Sequence, residues 1–220
     1  MGLHPARKNP HQGQPILMTG ESLGDSKAAM LMLHGRGATA EDILSLAGEF
    51  DQPGFTYLAP QAADNTWYPN RFTAPIEANE PWLSSALETV EYVFSQIVAA
   101  GIPPEGILLL GFSQGACLSL EYAARNARRY GGIAGLSGGL IGPEDMQREH
   151  SGSLAGTPVF LGCSAADFHI PRQRVDQAAE VLRALGGEVT KRLYPNLDHT
   201  INQDEIDFVR GMMQSLLARS

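Results

Sequence analysis

Short, unbroken apolar runs alternate along this chain with segments whose apolar residues recur at helical spacing. Ala28–Leu33 (AAMLML), Phe55–Ala59 (FTYLA) and Ile107–Leu110 (ILLL) read as strands, with Gly132–Leu136, Pro158–Leu161 and Glu188–Tyr194 as further candidates. Between them, Thr39 and Asp42 form a capping-box pattern ahead of Ile43, Leu44, Ala47 and Phe50. Ser85 and Glu88 share that spacing on a longer stripe of Leu83, Leu87, Val90, Phe94 and Ile97, which Gly101, Pro103 and Pro104 terminate. Residues 114–128, 172–185 and a last segment from about Asn202 are also helical in pattern. Strands that are apolar throughout must be covered on both faces. With helices between them, they predict an α/β domain built on a mostly parallel sheet. The 220 residues suffice for one such domain, and no repeat, low-complexity tract or linker divides them. The expected organisation is a flexible N-terminal tail over 1–15 and a single domain over 16–220. A chain this short leaves no room for a large cap domain. The stretch 60–81 has no clear period and reads as a long loop.

One motif in this frame carries chemistry. Gly111-Phe112-Ser113-Gln114-Gly115 has the Gly-x-Ser-x-Gly form of a nucleophile elbow, in which a sharp strand-to-helix turn exposes the serine. Side chains two positions before and after that serine would collide, hence Gly111 and Gly115. Five letters alone are a weak signal, and a Gly-rich turn with a solvent-facing serine is the plain alternative. The context favours the elbow: an apolar strand ends at Leu110, and a helical pattern starts at once after Ser113.

A serine nucleophile needs a base, a carboxylate to orient that base, and donors for the oxyanion. In this architecture the order is serine, acid, histidine, each on a loop after a strand. Of the six histidines, His4 and His11 fall in the expected tail, His34 precedes Ser113, and His150 has no strand before it. His169 follows the best acid candidate too closely. His199 lies five residues past the strand ending at Tyr194 and before the last helix, which makes it the candidate base. Asp167 closes the CSAAD loop after 158–161 and is the candidate acid. Asp198 is its rival, but adjacent residues rarely turn a carboxylate onto the neighbouring ring, so Asp198 reads as a turn or capping residue. For the oxyanion, the amide of Gln114 stands at a helix N-terminus. His34-Gly35-Arg36-Gly37 follows AAMLML directly, and by analogy with HGGG-type loops the Arg36 amide is the second donor. The four loops should emerge at one edge of the sheet.

Composition narrows the alternatives. The net charge is −8, and the only basic cluster, 125–129, suits a helix C-terminus, so nucleic-acid binding is not expected. No apolar run approaches the ~20 residues that cross a bilayer, so stable membrane insertion is not expected either. No signal-peptide pattern opens the chain, and two cysteines, Cys117 and Cys163, make no disulfide framework, so a cytoplasmic location is the default. Whether the protein forms a homodimer stays open. Trp67, Tyr68 and Phe72 of the long loop, and Phe168 beside Asp167, are candidate walls of a substrate pocket, with local packing an equal alternative for the first three. The Arg36 side chain is expected to face solvent rather than an anionic substrate.

The segments LHGRGATAEDI, LAPQAADNTWYP, LLLGFSQGACLSL, the Asp167 loop and DHTI together resemble the carboxylesterase/phospholipase-like branch of the α/β-hydrolase fold, which includes acyl-protein thioesterases. The resemblance runs from about Ile16 to the C-terminus. It implies Ser113, Asp167 and His199 as triad, and the amides of Arg36 and Gln114 as oxyanion donors. It also implies hydrolysis of small-molecule esters of short to medium acyl chains without metal or cofactor, with lysophospholipids or acyl-proteins as the alternative substrates. Two positions depart from the family pattern. Ala38 stands where HGxGD has Asp, and Asp198 stands where Gly often precedes the histidine. Both weaken the thioesterase reading rather than the triad. Dienelactone hydrolases resemble the chain less, since they carry cysteine as nucleophile and Cys117 lies four residues too late. A non-catalytic binding protein on the same fold is the remaining alternative, and no missing triad member supports it.

Overall fold

The structure, a computed structural model, describes residues 9–148 and 151–219. Among these residues seven strands form one sheet: β1 (Ile16–Gly20), β2 (Ala28–Leu33), β3 (Phe55–Pro60), β4 (Ile107–Phe112), β5 (Gly132–Leu136), β6 (Pro158–Ser164) and β7 (Glu188–Tyr194). Their spatial order is β1-β3-β2-β4-β5-β6-β7, parallel except for β1, which pairs antiparallel with β3. The edge strand β1 had no signal in the sequence: it is half-buried to exposed, so it carries no apolar run. Among the described residues six α-helices, α1 (Ala40–Leu44), α2 (Leu46–Phe50), α3 (Trp82–Ala99), α4 (Gln114–Arg125), α5 (Arg172–Ala184) and α6 (Gln203–Leu217), flank the sheet.

Successive residues of the inner strands feed opposite cores. Ala29, Leu31, Leu33, Ile107 and Leu109 pack into one cluster with α3, α4 and α5 residues such as Val90, Leu118 and Val175. Ala28, Met30, Met32, Leu108 and Leu110 pack into the other with Ile43, Phe50, Val209 and Met213. This two-sided burial is why the strands read as unbroken apolar runs.

Three local expectations need correction. The helix signalled by Thr39 and Asp42 does form a capping box, but Ser45 divides it into α1 and α2. Helix α3 starts at Trp82, not Ser85. Ser85 is buried inside it, where its hydroxyl bonds Asn9 at 2.5 Å and accepts the His11 amide at 3.0 Å. The flexible-tail reading therefore fails for residues 9–15; residues 1–8 lie outside the described set. His11 is buried, accepts the Ala63 amide at Nδ1 (3.1 Å) and donates from Nε2 to the Trp67 carbonyl (2.9 Å). Burial lowers its pKa, and the amide donor requires a bare Nδ1, so the ring is neutral.

In a parallel sheet every strand delivers its C-terminal loop to the same edge. Here the loops after β2, β4, β6 and β7 carry HGRG, Ser113, Asp167 and His199 to that edge.

Candidate active site

Ser113 sits between β4 and α4 with φ 55° and ψ −115°, a left-handed conformation that costs a non-glycine residue roughly 1–3 kcal/mol. Its surroundings hold it there: its amide donates to the Leu136 carbonyl (2.9 Å), and its carbonyl accepts from the Cys117 amide (3.0 Å). The flanking glycines are steric requirements. A Cβ on Gly111 would overlap the Gly115 carbonyl, and one on Gly115 would overlap the Leu33 carbonyl.

The predicted polar residues converge. The Ser113 hydroxyl lies 2.7 Å from His199 Nε2, and His199 Nδ1 lies 2.7 Å from Asp167 Oδ2. The second oxygen of Asp167 accepts the amides of His169 (2.8 Å) and Ile170 (3.0 Å). Burial by itself would raise the Asp167 pKa. The bond from His199 and the two amides outweigh it and hold the carboxyl below its usual value. An ionised Asp167 fixes the Nδ1–H tautomer, which leaves Nε2 free to accept the Ser113 proton. Asp198 is exposed, and its carboxylate makes no hydrogen bond or ion pair among the described residues. The ring of His169 stands edge-on to His199 with centroids 4.9 Å apart.

The HGRG loop is pressed against the elbow: a Cβ on Gly35 would sit 3.5 Å from the Ser113 Cβ. Buried His34 sets its geometry. His34 Nε2 accepts the Ala62 amide (3.1 Å), so its proton is on Nδ1, which donates to the Gly35 carbonyl (2.8 Å). Burial lowers its pKa, which favours this neutral form. In a trans peptide N–H and C=O point oppositely, so tying back the Gly35 oxygen turns the Arg36 N–H away from His34. Among the described residues neither the Arg36 nor the Gln114 amide donates to a protein acceptor.

Sequence reasoning missed how the long loop is attached. The Gln114 side chain accepts the Trp67 amide (2.8 Å) and donates to the Tyr68 carbonyl (2.8 Å). The Arg36 guanidinium donates to the carbonyls of Tyr68 (2.8 Å), Pro69 (3.0 Å) and Asn70 (2.7 Å). Thus the two residues whose amides are the candidate oxyanion donors also pin the 66–70 segment with their side chains. No spacing rule signals such a link, because it joins side chains to backbone groups some 32 to 47 residues away.

A cleft of about 590 Å³ lies over Ser113, bordered by HGRG, the 69–73 segment and 168–171. Phe72 and Phe168 line it, and Phe168 is 97% exposed. Trp67 and Tyr68 do not line it. Both are buried in the core, with Trp67 Nε1 donating to the His34 carbonyl (2.9 Å), so local packing claimed them. Cys117, one turn past Ser113, borders the cleft from α4. Burial pushes its thiol up to about 11. Among the described residues no group of three or more His, Cys, Asp or Glu side chains is placed to hold a metal ion, and no helix is long and apolar enough to cross a membrane.

Behind the site, Glu205 is fully buried with Oε1 unpartnered, while Oε2 accepts the Asn202 amide (2.9 Å) in the α6 capping box. Burial raises its pKa from 4.5 to about 7. A carboxyl raised in the folded state costs nothing below its unfolded pKa. The cost grows as pH rises from 4.5 and is complete above 7, at roughly 3 kcal/mol. Glu205→Gln keeps an acceptor for Asn202 and removes the charge. Its thermal midpoint should match the parent's near pH 5 and exceed it by several degrees near pH 8.5. Parallel melting curves across that range check this, and a constant difference at all pH values would contradict it.

The sheet order, with a Gly-x-Ser-x-Gly turn after its fourth strand, places the chain among the α/β-hydrolases. Within that class it belongs to the phospholipase/carboxylesterase family, whose sequence profile matches residues 18–217. A solved phospholipase/carboxylesterase from Dyadobacter fermentans is 44% identical, with TM-score 0.89 over 92% of this chain and 97% of that one. Acyl-protein thioesterase 1 of Gibberella zeae is 32% identical over 134 residues, which are 57% of this chain and 54% of that protein, so the match spans about half of the relative. A probable inactive carboxylesterase of Oryza sativa subsp. japonica is 25% identical over 87% of this chain and 85% of its own length.

Proposed function

We propose that this protein is a serine carboxylesterase that hydrolyses small-molecule esters of short- to medium-chain acids through an acyl-enzyme on Ser113. The observation that carries this reading is the unbroken chain of 2.7 Å contacts from Ser113 through His199 to a buried carboxylate. His199 takes the Ser113 proton as the hydroxyl attacks the ester carbonyl. The amides of Arg36 and Gln114 receive the oxyanion, each contributing about 3 kcal/mol to the transition state. His199 then protonates the leaving alcohol, and water, activated by the same ring, releases the acid. No cofactor enters this scheme. The intact triad also argues against a non-catalytic role on this fold.

The relatives named acyl-protein thioesterase favour a second reading, a lysophospholipase or thioesterase with the same chemistry and a longer acyl chain. Rates on p-nitrophenyl esters from acetate to palmitate separate the two. The carboxylesterase reading expects kcat/KM to peak at short to medium chains, and a steady rise toward palmitate would favour the alternative. The default cytoplasmic location belongs to the same proposal.

A further inference from the structure

The cleft over Ser113 carries a charge asymmetry that ester hydrolysis does not require. The chain has a net charge of −8, yet among the described residues no Asp or Glu lines the cleft, whereas Arg36 and Arg71 both do. Asp167 is turned onto His199 and its side chain has no exposure. The three partners of the Arg36 guanidinium are neutral carbonyls, so the group is fixed in place while its charge stays uncompensated. Arg71 is exposed, and among the described residues its side chain makes no hydrogen bond or ion pair. Elsewhere Arg125, Arg148, Arg192 and Arg210 each sit on a carboxylate, while Arg129, Arg174 and Arg183 donate to backbone carbonyls away from the cleft.

The backbone under Arg71 is nevertheless anchored. Buried Asn79 accepts the Asn70 amide (2.8 Å) and donates to the Arg71 carbonyl (3.2 Å), and the Ala74 amide donates to that carbonyl (3.0 Å). A free guanidinium on a fixed stem beside a reaction centre suits a substrate anion, because its fork matches a carboxylate.

The reaction geometry indicates which part of the ester meets it. His199 must protonate the leaving oxygen, so the alcohol lies on the side of His199, His169 and Phe168. The carbonyl oxygen faces the Arg36 and Gln114 amides. The acyl chain is left with the 69–73 segment, Cys117 and Ile170–Pro171 as its walls.

Resting on the serine-esterase reading above, we propose that the preferred substrates are half-esters of dicarboxylic acids. The free carboxylate at the far end of the acyl chain is bound by Arg71, and Arg36 adds a fixed positive charge beside it.

The test compares monoethyl adipate with ethyl hexanoate, which differ at the distal end of a six-carbon acyl chain, by titrating released acid at pH 7.5. The parent should favour the half-ester in kcat/KM by about tenfold, the scale of one charge-assisted hydrogen bond in a part-exposed site. The ratio should fall severalfold toward one in Arg71→Gln, where only the Arg36 charge remains, fall further in Arg71→Glu, and shrink with added salt. A parent ratio near one, or a ratio that survives Arg71→Gln, overturns the proposal. Ser113-dependent cleavage of ethyl hexanoate without preference for the half-ester would sink the charge selection alone. Failure to cleave either ester would sink the esterase reading with it.

Discussion

Ser113→Ala is expected to lower kcat on p-nitrophenyl butyrate by about 10⁴- to 10⁶-fold while leaving the fold intact. The size follows from what the hydroxyl does. Without it no acyl-enzyme forms, and His199 and the oxyanion amides retain only the residual assistance they give to water. The alanine keeps the Cβ, the left-handed turn and the backbone bonds to Leu136 and Cys117, so the thermal midpoint should move by no more than a few degrees. Covalent labelling by a fluorophosphonate should disappear in the same variant, and digestion of the labelled parent should place the adduct on Ser113. An alanine variant that keeps its activity would show that the nucleophile lies elsewhere. One that loses activity together with its melting transition would report on the fold instead, which is why both measurements are needed.

The parts of the molecule legible in the sequence are those governed by short periods and local chemistry. Strands β2 and β4 announced themselves because both their faces are buried. Helix α6 announced itself through apolar residues at helical spacing from about Asn202; the capping box that Asn202 forms with Glu205 is visible only in the structure. The residues of the Ser113–His199–Asp167 contact were legible for a topological reason: parallel strands send alternate loops to one edge, so chain order predicts spatial neighbours. What stayed hidden depends on long-range partners. Ser85 resembled a helix cap and instead receives the His11 amide from a segment that looked like a tail. Trp67 and Tyr68 resembled pocket walls because large aromatics in a loop can serve either purpose. Only the attachment of that loop to Gln114 and Arg36 shows that they turn inward. For the same reason the charge at the cleft was not readable from Arg36 or Arg71 alone; it depends on where carboxylates are absent in space.

Asp167→Asn tests the other end of the contact chain. The substitution keeps size and shape, and the retained oxygen can still accept the His169 and Ile170 amides that organise the loop. What changes is the group facing His199. A carboxylate accepts a proton-bearing Nδ1, whereas the amide nitrogen of Asn donates and requires a bare one. The proton then moves to Nε2, the atom 2.7 Å from Ser113, where it blocks acceptance of the serine's proton. The imidazolium formed during attack also loses its stabilising charge. The expected loss in kcat is about 10⁴-fold, with KM changed little, because ground-state binding does not involve this contact. Asp198→Asn is the matched control. Its carboxylate is exposed and bonded to nothing among the described residues, so the loss there should stay within severalfold. Equal losses in the two variants would mean that the contact at 2.7 Å does not orient the base. A loss in Asp198→Asn alone would return that role to the residue beside His199. Fluorophosphonate labelling rates should fall in parallel with kcat in Asp167→Asn, since both depend on the same removal of a proton from Ser113.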